Sequence, residues 1–387
     1  MSFSAPRPIS LLQPPRIHFG AGCADEAMAE LARAGHRRIF LITSPSVLAQ
    51  VRALGAILFA AGATVELTTS VSPEPTVACF EQLRQHARAF APDLVLAIGG
   101  GSVLDVAKLV AVLHLRPEPI GEFYGVGLLP ARKTTLACVP TTAGTGSEVS
   151  PNALLFDESA VAKKAVISPA LVPDVAVVDP RLMVSLPPAL TATTGIDALT
   201  HCLEAYTNRA AHPVVDIHAL EGVRLIGANL ARAVAHGSDL AARSAVALGS
   251  LYGGLCLGPV NTAAVHALAY PLGGEFHLPH ALSIALLLPH VVRFNVSADP
   301  ARHAALALAL GADPTGSDER AIAAQLPDLL ERLLIACRIP RGLGNHGIPR
   351  DALPRMADAA MQVTRLLKNN PREVTRADAI QIFESAY

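Results

Sequence analysis

The first half of the chain alternates short apolar runs with stretches in which apolar residues recur at helical spacing. The short runs are typical of buried strands, and the stretches between them are typical of amphipathic helices. Strands separated by helices of this length form right-handed β-α-β units, which build a parallel sheet. The predicted strands lie at residues 38–43, 64–69, 93–98, 134–139 and 174–178, and the predicted helices at residues 47–61, 77–88 and 103–114.

After the pair Pro187-Pro188 the pattern changes to long stretches of helical spacing without a convincing strand. We therefore predict an α/β domain, a parallel sheet flanked by helices, over residues 1–186. An all-α domain is predicted over residues 187–387. Its first four helices are predicted at residues 189–206, 212–235, 239–257 and 262–270.

The composition excludes several classes of protein. Hydrophobic residues make up 51% of the chain and charged residues 16%, which excludes a disordered protein. A formal net charge of -1 gives no field that would attract nucleic acid or an anionic membrane, so we expect neither partner. Residues 244–274 carry no charged side chain and are long enough to span a bilayer, but glycines and prolines interrupt them. We interpret this stretch as buried helices.

The N-terminal region is proline-rich and contains no continuous apolar run. We therefore expect no signal peptide and a cytoplasmic protein. The six cysteines stand singly, without a C-x-x-C pair, and are predicted to be reduced thiols.

A glycine-rich turn follows the predicted strand at residues 93–98. Residues 99–102 read Gly-Gly-Gly-Ser and open the next predicted helix. Glycines let the backbone approach a ligand closely, and the free N–H groups of a helix N-terminus attract phosphate. Ser102 and Asp105 have the N-cap and N3 spacing of a capping box, which predicts Ser102 as the N-cap of the helix. The alternative is a tight turn without a ligand, and the G-x-G-x-x-G pattern of a standard Rossmann loop is missing.

A second loop, Pro-Thr-Thr-Ala-Gly-Thr-Gly-Ser-Glu at residues 140–148, follows another predicted strand. Its hydroxyl groups and glycines suit a polyphosphate or a ribose, and ligands bind at the carboxyl edge of open α/β sheets. Such loops are also ordinary turns. Two of them after parallel strands favour a nucleotide site.

The second half carries candidate metal ligands. Asp197 and His201 are four residues apart and would project from one face of a helix. A buried carboxylate needs a partner or a metal. His266 lies in the charge-free stretch, and His280 follows a predicted Pro-Leu-Gly-Gly turn. A single histidine in such surroundings is more often a core residue, but one aspartate and three histidines favour a catalytic Fe(II) or Zn(II) site without thiolate ligands.

These motifs resemble the iron-containing (group III) alcohol dehydrogenase family. The similarity covers residues from about 15 to past 300, in order and at family spacing. It rests on GGGS-x-x-D-x-A-K at residues 99–108, PTTAGTGSE at 140–148, GIDALTH at 195–201 and a histidine-rich stretch at 266–295. The resemblance implies a nucleotide-binding α/β domain and a helical metal-binding domain in a dehydroquinate synthase-like two-domain fold, with the active site in the cleft between them.

The resemblance also implies roles for individual residues. The family's metal-ligand positions fall on Asp197, His201, His266 and His280. The cofactor positions fall on Gly99, Gly100, Gly101, Ser102, Asp105, Thr141, Thr142, Thr145 and Ser147. Lys164 matches a family lysine near the cofactor, and the adjacent Lys163 leaves this register open.

The chain departs from the family pattern at three positions. The acidic residue that often follows the first strand of the nucleotide fold is replaced by Ser44, so NADP is expected to be accepted as well as NAD. Many members have a histidine where this chain has Tyr270, so either Tyr270 or His277 would pass the released proton to solvent. The glycine after the last ligand is Ala281, for which we expect a small local effect.

The function implied is reversible hydride transfer between a small alcohol and NAD(P)+, with Fe2+ or Zn2+ polarising the oxygen. The expected assembly is a homodimer or a larger homo-oligomer. Hydroxyacid-oxoacid transhydrogenase and maleylacetate reductase activities are alternatives on the same fold. A dehydroquinate synthase-type lyase would need clustered basic residues, against which the uncharged stretch argues. A non-catalytic binding protein is the remaining alternative.

Overall fold

The computed structural model describes residues 7–72, 74–160, 162–315 and 318–387. The first six residues, part of the region considered for a signal peptide, lie outside the described residues. The chain forms two compact units. One spans residues 12–186, and the other combines residues 187–387 with the N-terminal segment that ends at Leu11.

The N-terminal segment belongs with the helical unit because of specific contacts. The guanidinium of Arg7 donates to the carbonyl of Ala210 at 2.6 Å, and the carbonyl of Arg7 lies 3.0 Å from Nε2 of His212. Ile9 packs against a small apolar cluster of this unit. The α/β domain predicted over residues 1–186 includes this segment, because the sequence pattern does not show that its partners lie about two hundred residues away in the chain.

A six-stranded parallel sheet forms the centre of the α/β unit. Its strands in chain order are β1 (Arg16–Phe19), β2 (Arg38–Thr43), β3 (Thr64–Thr68), β4 (Leu94–Gly99), β6 (Thr135–Pro140) and β9 (Val175–Val178). Their spatial order is β1-β9-β6-β4-β2-β3. A smaller sheet, in the order β5-β8-β7, contains β5 (Gly125–Val126), β7 (Asn152–Asp157) and β8 (Ala162–Ile167).

Helices cover both faces of the large sheet, as the alternation of side chains along β2 shows. Ile39 and Leu41 belong to one apolar core, and Phe40 and Ile42 belong to the core on the other face. The first core includes residues of α1 (Cys23–Arg33) and α2 (Leu48–Ala60), and the second includes residues of α3 (Val77–Phe90) and α4 (Gly101–Leu113). The predicted α/β class with a parallel sheet flanked by helices is confirmed.

The second unit is helical, and its described residues contain no strand. Its helices are α5 (Pro188–Thr207), α6 (Pro213–Ala235), α7 (Leu240–Leu257), α8 (Ala264–Phe276), α9 (His280–Asn295), α10 (Pro300–Ala309), α11 (Glu319–Ala324), α12 (Leu326–Ala336), α13 (Leu353–Met361), α14 (Thr364–Leu367) and α15 (Arg376–Ser385). Helices α5, α6 and α7 pack closely because glycines face each contact. A Cβ atom at Gly222 would overlap the sulfur of Cys202, and one at Gly253 would lie 3.2 Å from the Cβ of His201.

The Pro-Leu-Gly-Gly segment at residues 271–274, predicted as a turn, is instead part of α8. Pro271 removes one backbone hydrogen bond from the helix. The helix continues because Leu268 and Leu272 on either side of the proline are fully buried, and their packing outweighs that loss.

Two helices have the length and apolar composition that could cross a membrane, at residues 240–257 and 280–298. In both, more than half of the apolar window is buried inside the protein, at 61% and 56%. Core helices of folded proteins share these properties, so this is weak evidence for membrane insertion.

Candidate active site

The candidate metal ligands converge in the helical unit. Asp197 and His201 lie one turn apart on α5, His266 lies on α8, and His280 is the first residue of α9. Oδ1 of Asp197 lies 3.7 Å from Nε2 of His201, 3.5 Å from Nε2 of His266 and 4.0 Å from Nε2 of His280. The rings of His201 and His266 are stacked, with centroids 4.8 Å apart. Ligand atoms of Asp197, His201 and His266 all lie within 4.8 Å of one another, and Nε2 of His280 lies at the edge of this group.

The donor atoms fit a divalent metal ion. Ligand atoms about 2.1 Å from a tetrahedral ion lie about 3.4 Å from one another, close to the separations found here. Oδ1 of Asp197 and Nε2 of His266 are buried and have no hydrogen-bond partner among the described residues. Orphaned buried polar atoms are costly unless something binds them. The side chain of His280 is 30% exposed, so the site is accessible on that side.

The ionisation of these groups also suits a cation. Although burial opposes it, the neighbouring His201, His266 and His280 hold the pKa of Asp197 well below its usual range. Burial likewise opposes the change at His266, where the negative charges of Glu204 and Asp197 raise the pKa to about 9. The same negative charges would attract a metal ion, which would compete with the proton of His266 for the ring nitrogen.

Glu204 is a buried member of this site that sequence reasoning did not identify. It lies on α5 one turn beyond His201, and its carboxylate accepts a hydrogen bond from Nδ1 of His266 at 2.6 Å. The spacing Asp197, His201, Glu204 keeps all three on one helix face. A second acid at helical spacing from Asp197 and His201, in a mostly apolar helix, was the available signal.

Tyr270 lies on α8, the helix that carries His266, and His277 directly follows that helix. The ring of Tyr270 is 6.1 Å from that of His280. Burial raises the pKa of Tyr270, although the charge of Arg365 opposes the shift. His277 ends α8 in a left-handed conformation, with φ of 54°, and is exposed. His277 can therefore exchange protons with solvent, whereas the Tyr270 hydroxyl remains protonated.

In the α/β unit, the two predicted cofactor loops leave the sheet side by side. Strands β4 and β6 are neighbours, with Gly99 opposite Pro140, and the N–H of Thr141 donates to the carbonyl of Gly99 at 2.9 Å. Helix α4 begins at Gly101 with Gly100 as its N-cap. The prediction of Ser102 as N-cap is therefore wrong by two residues, because Ser102 lies in the first turn of α4.

Asp105 has a different role from the predicted cap. Its carboxylate accepts hydrogen bonds from the hydroxyl of Ser147 and from the N–H of Leu154, the latter at 3.0 Å. Lys108, which the prediction did not single out, is fully buried. It donates to the carbonyls of Ser147 and Ser150 at 2.9 and 2.8 Å and to the Ser147 hydroxyl at 3.0 Å. The side chains of Asp105 and Lys108, on the helix that follows the glycine loop, thus bind the second loop through hydrogen bonds to Ser147.

The other predicted cofactor residues of the two loops fall into a buried group and a partly exposed group. Gly99 and Thr141 are buried within the sheet edge. A Cβ atom at Gly101 would lie 2.5 Å from Cγ2 of Thr145, so the absence of a side chain there lets the loops touch. The residues left partly accessible to a ligand are Gly100, Gly101, Ser102, Thr142 and Thr145.

Ser44 follows β2 directly, and β2 is the neighbour of β4. Ser44 therefore lies at the same carboxyl edge as the glycine loop. Its hydroxyl is 2.9 Å from that of Ser46. The two lysines of β8 project from opposite faces of that strand. Lys163 pairs with Glu74 at 3.0 Å, whereas Lys164 lies opposite Leu155 in the sheet. Burial raises the pKa of Asp105, and the charges of Lys108 and, to a smaller extent, Lys163 oppose that shift.

Glu148, at the end of the second loop, leads to a pH prediction. Burial raises its pKa from 4.5 to about 7, against the opposing effects of its own N–H and of Lys108. The folded protein then retains a proton that the unfolded chain releases between these values, so stability falls as pH rises through this window. The shift corresponds to about 3 kcal/mol.

Glu148→Gln cannot ionise, so its stability relative to wild type should increase by up to about that amount from pH 5 to pH 8. Urea unfolding followed by circular dichroism tests this; a difference independent of pH would contradict it.

Comparison with known proteins agrees with the fold. The sequence model described as iron-containing alcohol dehydrogenase matches residues 14–180, and that of the C-terminal part of the family matches residues 191–387. The chain belongs to the iron-containing alcohol dehydrogenase family, which confirms the resemblance inferred from its motifs. It is an alcohol dehydrogenase of that family, an oxidoreductase acting on alcohols.

Particular relatives extend over nearly the whole chain. The long-chain-alcohol dehydrogenase 1 of Geobacillus thermodenitrificans is 40% identical over 379 residues, which are 97% of this chain and 95% of that protein. The crystal structure of a 1,3-propanediol oxidoreductase has a TM-score of 0.95 at 32% identity and covers 98% of this chain and 100% of that one. A sulfoacetaldehyde reductase from Bifidobacterium kashiwanohense, solved in complex with NAD+, has a TM-score of 0.88 at 27% identity, with coverages of 98% and 99%.

Proposed function

We propose that the protein transfers a hydride reversibly between a small alcohol and NAD(P)+ and depends on a divalent metal, Fe2+ or Zn2+. The observation that carries the proposal is the convergence of the three histidine Nε2 atoms within 4.0 Å of Oδ1 of Asp197. A bound divalent ion would supply Lewis-acid polarisation of the alcohol or carbonyl oxygen. Asp197, His201, His266 and His280 would hold it.

The chain's own residues account for the other requirements of the reaction. Helix α4 directs the free N–H groups of its N-terminus to the glycine loop, where they can bind a pyrophosphate. Thr142 and Thr145 offer hydroxyl groups beside it. The alcohol proton needs a route to water, and the exposed imidazole of His277, which directly follows α8, can provide it. Tyr270 can orient the substrate hydroxyl by a hydrogen bond.

The test is the formation of NAD(P)H, followed by its absorbance, with ethanol, 1-butanol, 1,3-propanediol and 4-hydroxybutyrate. NAD+ and NADP+ are compared on protein loaded with Fe(II) or Zn(II) and on metal-free protein. We expect reduction that requires the metal. Equal rates without metal would contradict the proposed metal role. Absence of reduction with every pair would contradict the proposed reaction.

Ser44 provides a prediction about cofactor choice. No carboxylate stands at this position to repel a 2′-phosphate, so the wild type should use both NAD+ and NADP+. In Ser44→Asp the new charge should lower kcat/KM for NADP+ at least about tenfold and leave NAD+ nearly unchanged. Ser159→Asp, in an exposed turn of the same unit, makes the same charge change as a control. Equal losses with both nucleotides would show that Ser44 does not face the 2′ position.

A further inference from the structure

The Glu204 side chain connects two helices that carry metal-ligand candidates. It is 3% exposed and lies on α5, whose own ligands are Asp197 and His201. Its carboxylate accepts hydrogen bonds from the N–H groups of Ala263 and Val265 at 2.9 and 2.6 Å, at the beginning of α8. It is also 2.6 Å from Nδ1 of His266. Glu204 therefore contacts both the start of α8 and the ligand that α8 carries.

This arrangement selects the tautomer of His266. A carboxylate that already accepts two backbone N–H groups is an acceptor at its third contact as well, so Nδ1 of His266 must carry a hydrogen. Nε2 of a neutral ring is then left with its lone pair. Nε2 is the atom that lies 3.5 Å from Oδ1 of Asp197 and has no hydrogen-bond partner among the described residues. In the neutral ring, the atom needed as a metal ligand is thus the one that carries no hydrogen.

We propose that Glu204 is a positioning residue that sets the metal affinity of the site through His266, and is not merely a cap of α8. Carboxylates that accept the second N–H of a metal-bound histidine fix the ring and make it a stronger donor. This inference rests on the metal site of the proposed function, and it does not depend on the identity of the alcohol.

Replacement of Glu204 by glutamine should disturb this arrangement at nearly constant volume. If the amide oxygen faces Nδ1 of His266 and the N–H of Ala263, which share one carboxylate oxygen in the wild type, the amide NH2 faces the N–H of Val265. If the amide turns over, its NH2 donates to Nδ1 and favours the tautomer with hydrogen on Nε2. Either orientation weakens His266 as a ligand.

Metal affinity is the primary measurement. Zn(II) and Co(II) are titrated into metal-free Glu204→Gln in competition with a chromophoric chelator, and the Co(II) absorption bands are recorded. We expect about 10- to 100-fold weaker binding and shifted Co(II) bands. Asp216→Asn is the matched control, because Asp216 is an acid of the same unit and pairs with Arg302. This substitution should leave the metal affinity unchanged.

A double variant separates positioning from a general structural effect. If Glu204 acts through His266, then His266→Ala and Glu204→Gln/His266→Ala should bind metal equally weakly. Affinity of Glu204→Gln within twofold of wild type, with unchanged Co(II) bands, would overturn the proposal and leave Glu204 as a cap. The proposal would also be overturned if Glu204→Gln lowered the metal affinity of the His266→Ala protein by the same factor by which it lowers the metal affinity of the wild type.

Two further results keep the test decisive. If Glu204→Gln does not fold, Glu204→Asp keeps the charge but withdraws it by one methylene. It should bind metal at least threefold more weakly, and unchanged affinity would overturn the inference. Failure of the wild type to bind any metal would refute the metal site of the proposed function, on which the inference rests. An active wild type with an unaffected Glu204→Gln refutes the inference alone.

Discussion

Asp197→Asn is expected to abolish metal retention and to lower kcat/KM by at least about 10³. The reason is the central position of Oδ1, which lies within 4.0 Å of Nε2 of each of the three histidines. The amide has nearly the same size but no charge, so an ion in the site would lose its only anionic ligand. A neutral amide is also a poor ligand for Fe(II) or Zn(II).

The measurement is metal content per chain after reconstitution, together with the rate of NAD(P)H formation. Circular dichroism and melting of the metal-free protein show whether the variant is folded. Asp179→Asn, which removes a buried acid of the α/β unit that caps α1, is the control and should retain metal. Full metal content and full activity in Asp197→Asn would place the metal site elsewhere.

Gly101→Ala is expected to weaken nucleotide binding at least about tenfold and to destabilise the α/β unit by about 1–3 kcal/mol. The added Cβ atom would lie 2.5 Å from Cγ2 and 2.9 Å from Oγ1 of Thr145, so the second loop must move away from α4. Thr145 itself is one of the predicted cofactor contacts, and its hydroxyl accepts from the N–H of Ser147 at 3.2 Å.

Gly100→Ala is the matched control for this effect. A Cβ atom there would lie 3.5 Å from Cγ2 of Thr142, which is an ordinary contact, so the melting temperature should hardly change. Because Gly100 is partly accessible at the N-terminus of α4, the methyl group should still hinder an approaching pyrophosphate. Isothermal titration with NAD+ and NADP+ measures both variants. Unchanged affinity in both would contradict a nucleotide site at these loops.

Much of the α/β unit could be predicted because its strands are locally distinct. The run at residues 38–43 is apolar from Ile39 to Ile42 and coincides with β2. The smaller sheet was missed because β8 has one fully buried residue, Val166, and carries Lys163 and Lys164. A half-buried strand of this kind has no apolar run to mark it.

The metal-ligand candidates could be predicted because each carries a local signal. Asp197 and His201 have helical spacing, and His266 stands in a stretch free of charge. The structure brings these side chains together with His280. Glu204 has the same helical spacing, but its partner is 62 residues away on another helix. Its contact with that partner is a matter of helix packing, which periodicity alone does not contain.

The amino-acid pattern by itself determined the types of element, the change from α/β to helical structure after Pro187, and the residues chemically able to bind a metal. Only the tertiary structure decided how the polar groups are used. It engaged Asp105 and Ser147 with each other and placed Lys108 beneath the loops. It also assigned the hydrogen on His266 through Glu204. Local periodicity reports which face of an element is buried, whereas the pairing of buried polar groups depends on which distant element covers that face.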